Sequence, residues 1–499
     1  MRPAMTPASR VTSAAVAVAL GLTVSVSGQP PTQPPPPQPP PKSSTVIKGK
    51  APVSNEVLKV KLPKPQDVRL ANGLHLMVLA DHRLPRVTFQ MIIPGGGGYY
   101  DPPGMIGLSN YTAQMMREGT TTRSSLQISQ ELETMAANVT VNGSLSGPNA
   151  TVTGAALTEH LPRLMDLTAD VLLNPSFPAE EWERLKPRAR ATLIQQRTQP
   201  GFLANERFSK VVFGDHPAGR VSATPESLDA MTRDAMVEFH RARFVPDHAL
   251  IAFAGDITLA DARKLVEAKL GAWKKAGVAQ PAVTEPSAVG PAKVYLVARP
   301  NSVQTNLFVG SQSLTRTDPD YVPLTVANAV IGGGPQGRLF RHLREDKGYT
   351  YGAYSGFGAT RHRGSWSATT DVRTDVTDPA LTDLLAEVAA MRDTPVPEAE
   401  LNDAKRAIVA GFALSLESPQ QLLGYYVQNW LYGLPADYWD TYPAKISAVT
   451  AAQAQAAAAK YWDGSKLQIV AVGDAGKITD ILKKKGTLET FDADGKPVK

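Results

Sequence analysis

The sequence predicts an α+β protein built as two homologous halves, each a mainly antiparallel sheet with helices packed on it, joined by a linker in a clam-shell arrangement. Three observations carry that expectation. First, "FPAEEWERLKPRARATLIQQRTQP" at 177–200 and "VPEAELNDAKRAIVAGFALSLESP" at 396–419 align without a gap, sharing the second-position Pro, a Glu at 181 and 400, a Lys at 186 and 405, and a closing Pro. Second, "ALIAFAGDITLADARKLVEAKL" from 249 and "LQIVAVGDAGKITDILKKK" from 467 repeat an apolar strand, a Gly-Asp turn and a helix at nearly the same offset. Two repeats in register indicate duplication. Third, "KKAGVAQPAVTEPSAVGPA" between them has the Pro, Ala and Gly content of a linker.

The elements follow in order. Arg2 and Arg10 precede the apolar run "AAVAVALGLTVSV", which is short for a bilayer span and ends in small residues, so 1–28 reads as a secretory signal peptide, with an uncleaved anchor as the alternative. Residues 29–56 hold "PPTQPPPPQPPP", an extended spacer of about 3.1 Å per residue. The first half is expected over 57–277, the linker over 278–292, the second half over 293–486 and a tail over 487–499. "VRLANGLHLMVLADHRLPRVTFQMII" alternates as two strands around an Asn72-Gly73 turn and a third from Arg86 to Ile93. A helix follows in "GLSNYTAQMMREGT", another in "LQISQELETMAANV", then a hairpin marked by Asn142-Gly143 and helical stretches through 160–210. Pro187 should kink or break its helix. The glycine runs 95–98 and 332–334 read as mobile loops.

Composition excludes several functions. The chain has no cysteine, which removes disulfides, thiolate chemistry and Cys-ligated zinc and suits an exported compartment, expected to be the periplasm. A net charge of +6 without a Lys/Arg block argues against nucleic acid, and no stable membrane insertion is expected. The eight histidines have no i,i+3 or i,i+4 pair, and neither H-E-x-x-H nor H-x-x-E-H occurs. His216 in "FGDHPAGR" reads as structural.

The stretches "PGGGGYYDPPGMIGLSNYTAQMMREGT", "FPAEEWERLKPRARATLI", "FGDHPAGR" and "GGGPQGRLFRHLREDKGYTYGAYSGF" resemble, in order and spacing, the pitrilysin/insulinase family of zinc peptidases, of the inverted-motif, processing-peptidase-like kind. The resemblance implies where a zinc site would lie. Active members carry H-x-x-E-H on the helix after the Asp-Pro-Pro-Gly turn, two ligands and a general base. Here those positions are Asn110, Ala113 and Gln114, and all three are changed. Neutral amides are poor zinc ligands, and an alanine takes no proton from water. The window of the third ligand holds Arg190, Ala191 and Thr192, with no carboxylate. In the second half, "LREDKGYTY" keeps the family's Arg and Tyr as Arg344 and Tyr351. A guanidinium and a phenol there would hold the scissile carbonyl and its developing oxyanion. The bland alternative pairs Arg344 with Glu345 or Asp346 and packs Tyr351 in a strand. Gly332, Gly333 and Gly334 resemble a substrate-contacting loop.

The resemblance therefore implies a non-catalytic subunit with no cofactor of its own. Zinc is expected in a homologous partner, as a heterodimer, and the substrate is an extended peptide added to a sheet edge. Two other readings stay open: a peptide-binding or scaffold pseudopeptidase with no part in catalysis, and an active peptidase with an unfamiliar metal arrangement.

Overall fold

The structure is a computed structural model that describes residues 56–277 and 279–498. The expected signal peptide (1–28) and all but the last residue of the expected Pro-rich segment (29–56) lie outside the described residues. The first half runs β1 (Gln66–Arg69), β2 (His75–Ala80), β3 (Arg86–Pro94), α1 (Leu108–Met115), α2 (Ser125–Thr134), β4 (Asn138–Gly143), β5 (Asn149–Leu157), α3 (Leu161–Leu173), α4 (Ala179–Gln196), α5 (Pro200–Phe213), α6 (Pro225–Ala230), α7 (Arg233–Arg243), β6 (Leu250–Gly255) and α8 (Leu259–Leu270). The second runs β7 (Val294–Ala298), β8 (Gln304–Gln312), α9 (Tyr321–Ile331), α10 (Arg338–Phe340), a π-turn (Arg341–Asp346), β9 (Thr350–Phe357), β10 (Ser365–Arg373), α11 (Thr377–Asp393), α12 (Glu398–Ser415), α13 (Pro419–Tyr432), α14 (Tyr438–Ala448), α15 (Ala451–Tyr461), β11 (Gln468–Gly473), α16 (Ala475–Lys483) and β12 (Leu488–Phe491).

Each half holds a mixed six-stranded sheet, ordered β1-β2-β6-β3-β5-β4 and β12-β7-β11-β8-β10-β9. Strands β2, β6, β3, β5 and β4 correspond in place to β7, β11, β8, β10 and β9. The outer strands differ, since β1 precedes β2 and is antiparallel to it, whereas β12 follows β7 and is parallel to it. Helices α4 and α12, and α5 and α13, begin and end at the offset of the sequence repeat.

The central strands β6 and β11 are buried at every position and almost wholly apolar, Gln468 excepted, because both of their faces are covered. In β6, Ile251 and Phe253 face the core of their own half, while Leu250, Ala252 and Ala254 join the core of the other. The cover on that second face is α13, which brings Leu422, Leu423, Tyr426 and Val427 onto β6. The converse holds in the second sheet. There α5 packs on β11, β8 and β7, with Leu203 and Ala204 against Val297 and Val472, and Phe208 and Val212 against Val470. The halves thus exchange one helix each. At about 1.5–3 kcal/mol per buried large apolar side chain, pulling either helix away exposes surface worth on the order of 5–10 kcal/mol. An arm before β1 adds to this, with Leu62 buried in the second half's core and Lys64 paired to Asp440 of α14 at 2.6 Å.

Three local expectations change. Asn142-Gly143 ends β4 instead of turning the chain, because both residues pair with β5 (Thr151 and Ala150) and residues 144–148 make the turn. α4 continues through Pro187, held by buried Trp182, Ala189 and Leu193. The Gly95–Gly98 run is buried and closely packed: a Cβ at Gly97 would lie 2.2 Å from the Gly147 carbonyl oxygen. Glycine is there for close backbone approach, not for mobility.

Candidate functional site

α1 starts where the buried Asp101 carboxylate accepts the Gly107 and Ser109 amides at 2.7 and 2.8 Å. Burial pushes that carboxyl above its usual range, and these two bonds oppose the shift. The helix then buries Leu108, Ser109, Tyr111, Thr112, Ala113 and Met115, which leaves Asn110 and Gln114 on its less buried face. Gln114 Nε2 donates to Asn110 Oδ1 at 2.6 Å, and Asn110 Nδ2 donates to the Gly143 carbonyl on β4 at 3.1 Å. β4 is the edge strand of its sheet. The helix lies so near it that a Cβ at Gly143 would sit 2.4 Å from the Ser109 carbonyl oxygen.

The two amides at the positions where the family resemblance expects zinc ligands are therefore spent on each other and on the strand. Ala113 is 0% exposed and offers a methyl group where the family's base would stand. Arg190, in the third-ligand window, is paired with Asp229 of α6, and Lys186 one turn earlier donates to the Asp229 carbonyl at 3.2 Å. Ala191 and Thr192 are exposed. These residues do not fit zinc: they supply neither imidazole nor carboxylate, and the one ionised group in the window is a cation. Among the described residues, no group of three or more His, Asp or Glu side chains is placed to hold a metal.

In the second half, the chain from Arg338 to Asp346 is clamped on two sides. The Arg338 guanidinium donates twice to Glu400 of α12, at 2.9 and 2.7 Å, and Arg341 adds a third bond at 3.1 Å. His342 lies 2.9 Å from Glu387 and 3.8 Å from Asp383 of α11. Leu339 and Leu343 anchor the segment from below, both 0% exposed. This leaves Arg344 on the open side of the π-turn, an irregular turn often found at functional positions. Tyr351, on the edge strand β9, is 84% exposed, and the Arg344 guanidinium carbon lies 5.5 Å from its ring centre. Among the described residues neither Glu345 nor Asp346 forms an ion pair with Arg344.

Gly332 is docked on the same strand. Its carbonyl accepts the Ser355 amide at 2.8 Å, and a Cβ there would lie 2.7 Å from that nitrogen, whereas Gly334 has open space. The expected mobile loop is therefore fixed at Gly332 and unpacked only at Gly334. Gly333 is held between them, with a Cβ position 2.8 Å from the Ala329 Cα. The structure brings Arg344 to Tyr351 and Asn110 to Gln114. No hydrogen bond or ring contact links the two pairs among the described residues.

Sequence reasoning missed the π-turn and the clamp on it. Glu400 was visible only as a repeat-matched glutamate, and no local signal assigns it to Arg338.

Two family profiles match the chain, "Insulinase (Peptidase family M16)" over residues 77–226 and "Peptidase M16 inactive domain" over 230–408. The chain belongs to the insulinase (M16) family. An uncharacterized zinc protease of Streptomyces coelicolor is 26% identical over 52% of this chain, which spans 57% of that relative's length. The non-peptidase homolog YmxG of Helicobacter pylori is 23% identical over 72% of this chain and 83% of its own. A crystal structure described as a peptidase M16 inactive domain from Pseudomonas fluorescens superposes with a TM-score of 0.76 at 26% identity, covering 82% of this chain and 98% of that one. This M16 chain is a pseudopeptidase-like member of the family.

Proposed function

We propose that this chain is the zinc-less subunit of an exported heteromeric zinc metallopeptidase. It binds an extended peptide and supplies Arg344 and Tyr351 to a partner's zinc site for peptide-bond hydrolysis. One observation carries this reading: the Arg344 and Tyr351 side chains lie together at an exposed sheet edge, while the residues at the zinc-motif positions are closed off by bonds to one another. A tyrosine that is 84% exposed beside a guanidinium contributes little to folding, so its presence is better accounted for by an outside ligand. There the guanidinium would pair with the substrate carbonyl and the phenol would donate to the oxyanion, a contribution of about 10²–10³ in rate per donor. Gly334, with open space around it, leaves room for peptide backbone beside β9. Export to the periplasm rests on the sequence of residues 1–28 alone.

The test is reconstitution with a homologue that retains H-x-x-E-H. Proteolysis well above that of the homologue alone, lost with Tyr351→Phe, is expected; equal rates with and without this chain refute the proposal. The scaffold reading predicts instead a stable complex whose properties do not change with Arg344→Ala. Metal analysis of the purified chain separates both from an active enzyme, since near-stoichiometric zinc would overturn them together.

A further inference from the structure

Three rings from separate parts of the chain meet where the halves adjoin. Tyr99 comes from the glycine-rich loop leading to α1, His216 from the turn after α5, and His362 from the β9–β10 turn. Their centres are 5.3 Å (Tyr99 to His216), 5.3 Å (Tyr99 to His362) and 5.4 Å (His216 to His362) apart. The linker closes the group, because His216 Nε2 lies 3.2 Å from the Thr284 carbonyl oxygen and 3.0 Å from its hydroxyl.

The bonding fixes where each proton sits. His216 Nδ1 accepts the Ala218 amide at 3.1 Å, so that imidazole is neutral with its proton on Nε2, from which it donates to Thr284. His362 Nδ1 faces the Arg363 carbonyl at 2.8 Å and must carry the proton, which leaves Nε2 to accept the Tyr99 hydroxyl. A hydroxyl can turn to accept instead of donate, but a backbone N–H cannot. A second proton on His216 would set N–H against N–H.

The charged neighbours give an imidazolium no free counter-ion. Glu285 on the linker is paired with Arg363. Arg220 donates to the Gly98 carbonyl and stands 4.0 Å from Asp101. Lys210 and Asp215 pair with each other, Arg361 donates to the Leu431 carbonyl, and Tyr100 donates to the Ala282 carbonyl. Burial places both imidazoles below their ordinary range; at His216 the charges of His362 and Arg220 add to the effect while the Thr284 carbonyl and Glu285 oppose it, and at His362 the Arg363 carbonyl and Glu285 oppose it.

We propose that Tyr99, His216 and His362 form an acid-released latch that fastens the linker and the β9–β10 turn to the first half, with His216 as the group whose protonation opens it. The sign follows from the neutral closed form. Opening lets the histidines return to an ordinary pKa near 6.5, so the latch is at full strength above about pH 6.5 and weakens as pH falls below it. The inference does not depend on the proposed subunit role.

Amide hydrogen exchange on the full chain, corrected for intrinsic rates, tests it. Between pH 7.5 and 5.0, the hydrogen-bonded amides of Ala218, Val289, Gly358, Arg363 and Gly364 should lose protection by about tenfold or more, while β5 and α3 hold theirs. His216→Asn keeps an acceptor for the Ala218 amide and removes the titration, so its pH response should fall below about threefold. Equal wild-type protection at both pH values, or a wild-type response in His216→Asn, overturns the proposal. Exchange of the imidazole C2 hydrogens in the wild-type chain reads His216 directly; a midpoint at or above 6.5 also overturns it.

Discussion

The corner between a helix and an edge strand occurs once in each half, and the two copies have been put to different use. In the first, Asn110 on α1 ties the helix to the Gly143 carbonyl on β4. In the second, Asn328 on α9 does the same to the Ser355 carbonyl on β9, and its Oδ1 also accepts Ser355 Oγ and the indole N–H of Trp366. Asn110 and Asn328 thus perform the same structural task in the two halves. Beyond the staple the corners diverge. The first is sealed, with Gln114 bonded back to Asn110 and Ala113 buried; the second presents Arg344 and Tyr351 to solvent on a clamped turn. The first corner is closed by its own amides, Gln114 to Asn110 and Asn110 to the strand.

The contrast is broken most severely by restoring the lost base. Ala113→Glu places a carboxylate at a fully buried position with no partner, and a loss of about 3–5 kcal/mol in chemical denaturation is expected, the scale of an uncompensated buried charge. Near-neutral behaviour would mean that the corner still opens to water. Removing the staples should rank the halves. Asn328→Ala strands the indole N–H of Trp366, itself 0% exposed, and should cost about 2–3 kcal/mol. Asn110→Ala, at a half-buried position, should cost about 1 kcal/mol. Between them falls Gly143→Ala, at about 1–3 kcal/mol, because the new methyl meets backbone and the helix must move. Gly334→Ala, facing open space, is its control and should leave the thermal midpoint unchanged.

Much of this was readable from residue patterns. The duplicated segments located α4, α12, β6 and β11, because strands covered on both faces must be apolar at every position, and "LIAFAG" and "QIVAVG" are nearly so. What covers them was not readable. Nothing in "LLGYYVQNW" says that its apolar residues serve the other half's sheet, since an exchanged helix has the same amphipathic pattern as a retained one. Asn142-Gly143 misled because the pair that favours a tight turn also suits a strand end where a helix comes close. At the site, the changed residues at 110, 113 and 114 were plain in the sequence, whereas their mutual bonding, the π-turn and the Glu400 clamp depend on contacts between distant segments.

The smallest expected effect sharpens the comparison furthest. Tyr351→Phe removes one hydroxyl from a ring that is 84% exposed, and Arg344→Ala removes a cation whose nearest partner is that ring. Exposed cation–π contacts are worth about 0.5–1 kcal/mol at most, so each variant should keep its thermal midpoint within about 1–3 °C of the wild type. Changes at Asn110 or Ala113 should move the midpoint and leave any partner-dependent activity to follow stability alone. The opposite pattern at Tyr351, with unchanged folding and reduced activity in the reconstituted complex, separates a retained functional pair from a retained structural one. A clear fall in the midpoint for Tyr351→Phe would return that residue to the packing role assigned to Asn110, and the two corners would then differ in composition but not in use.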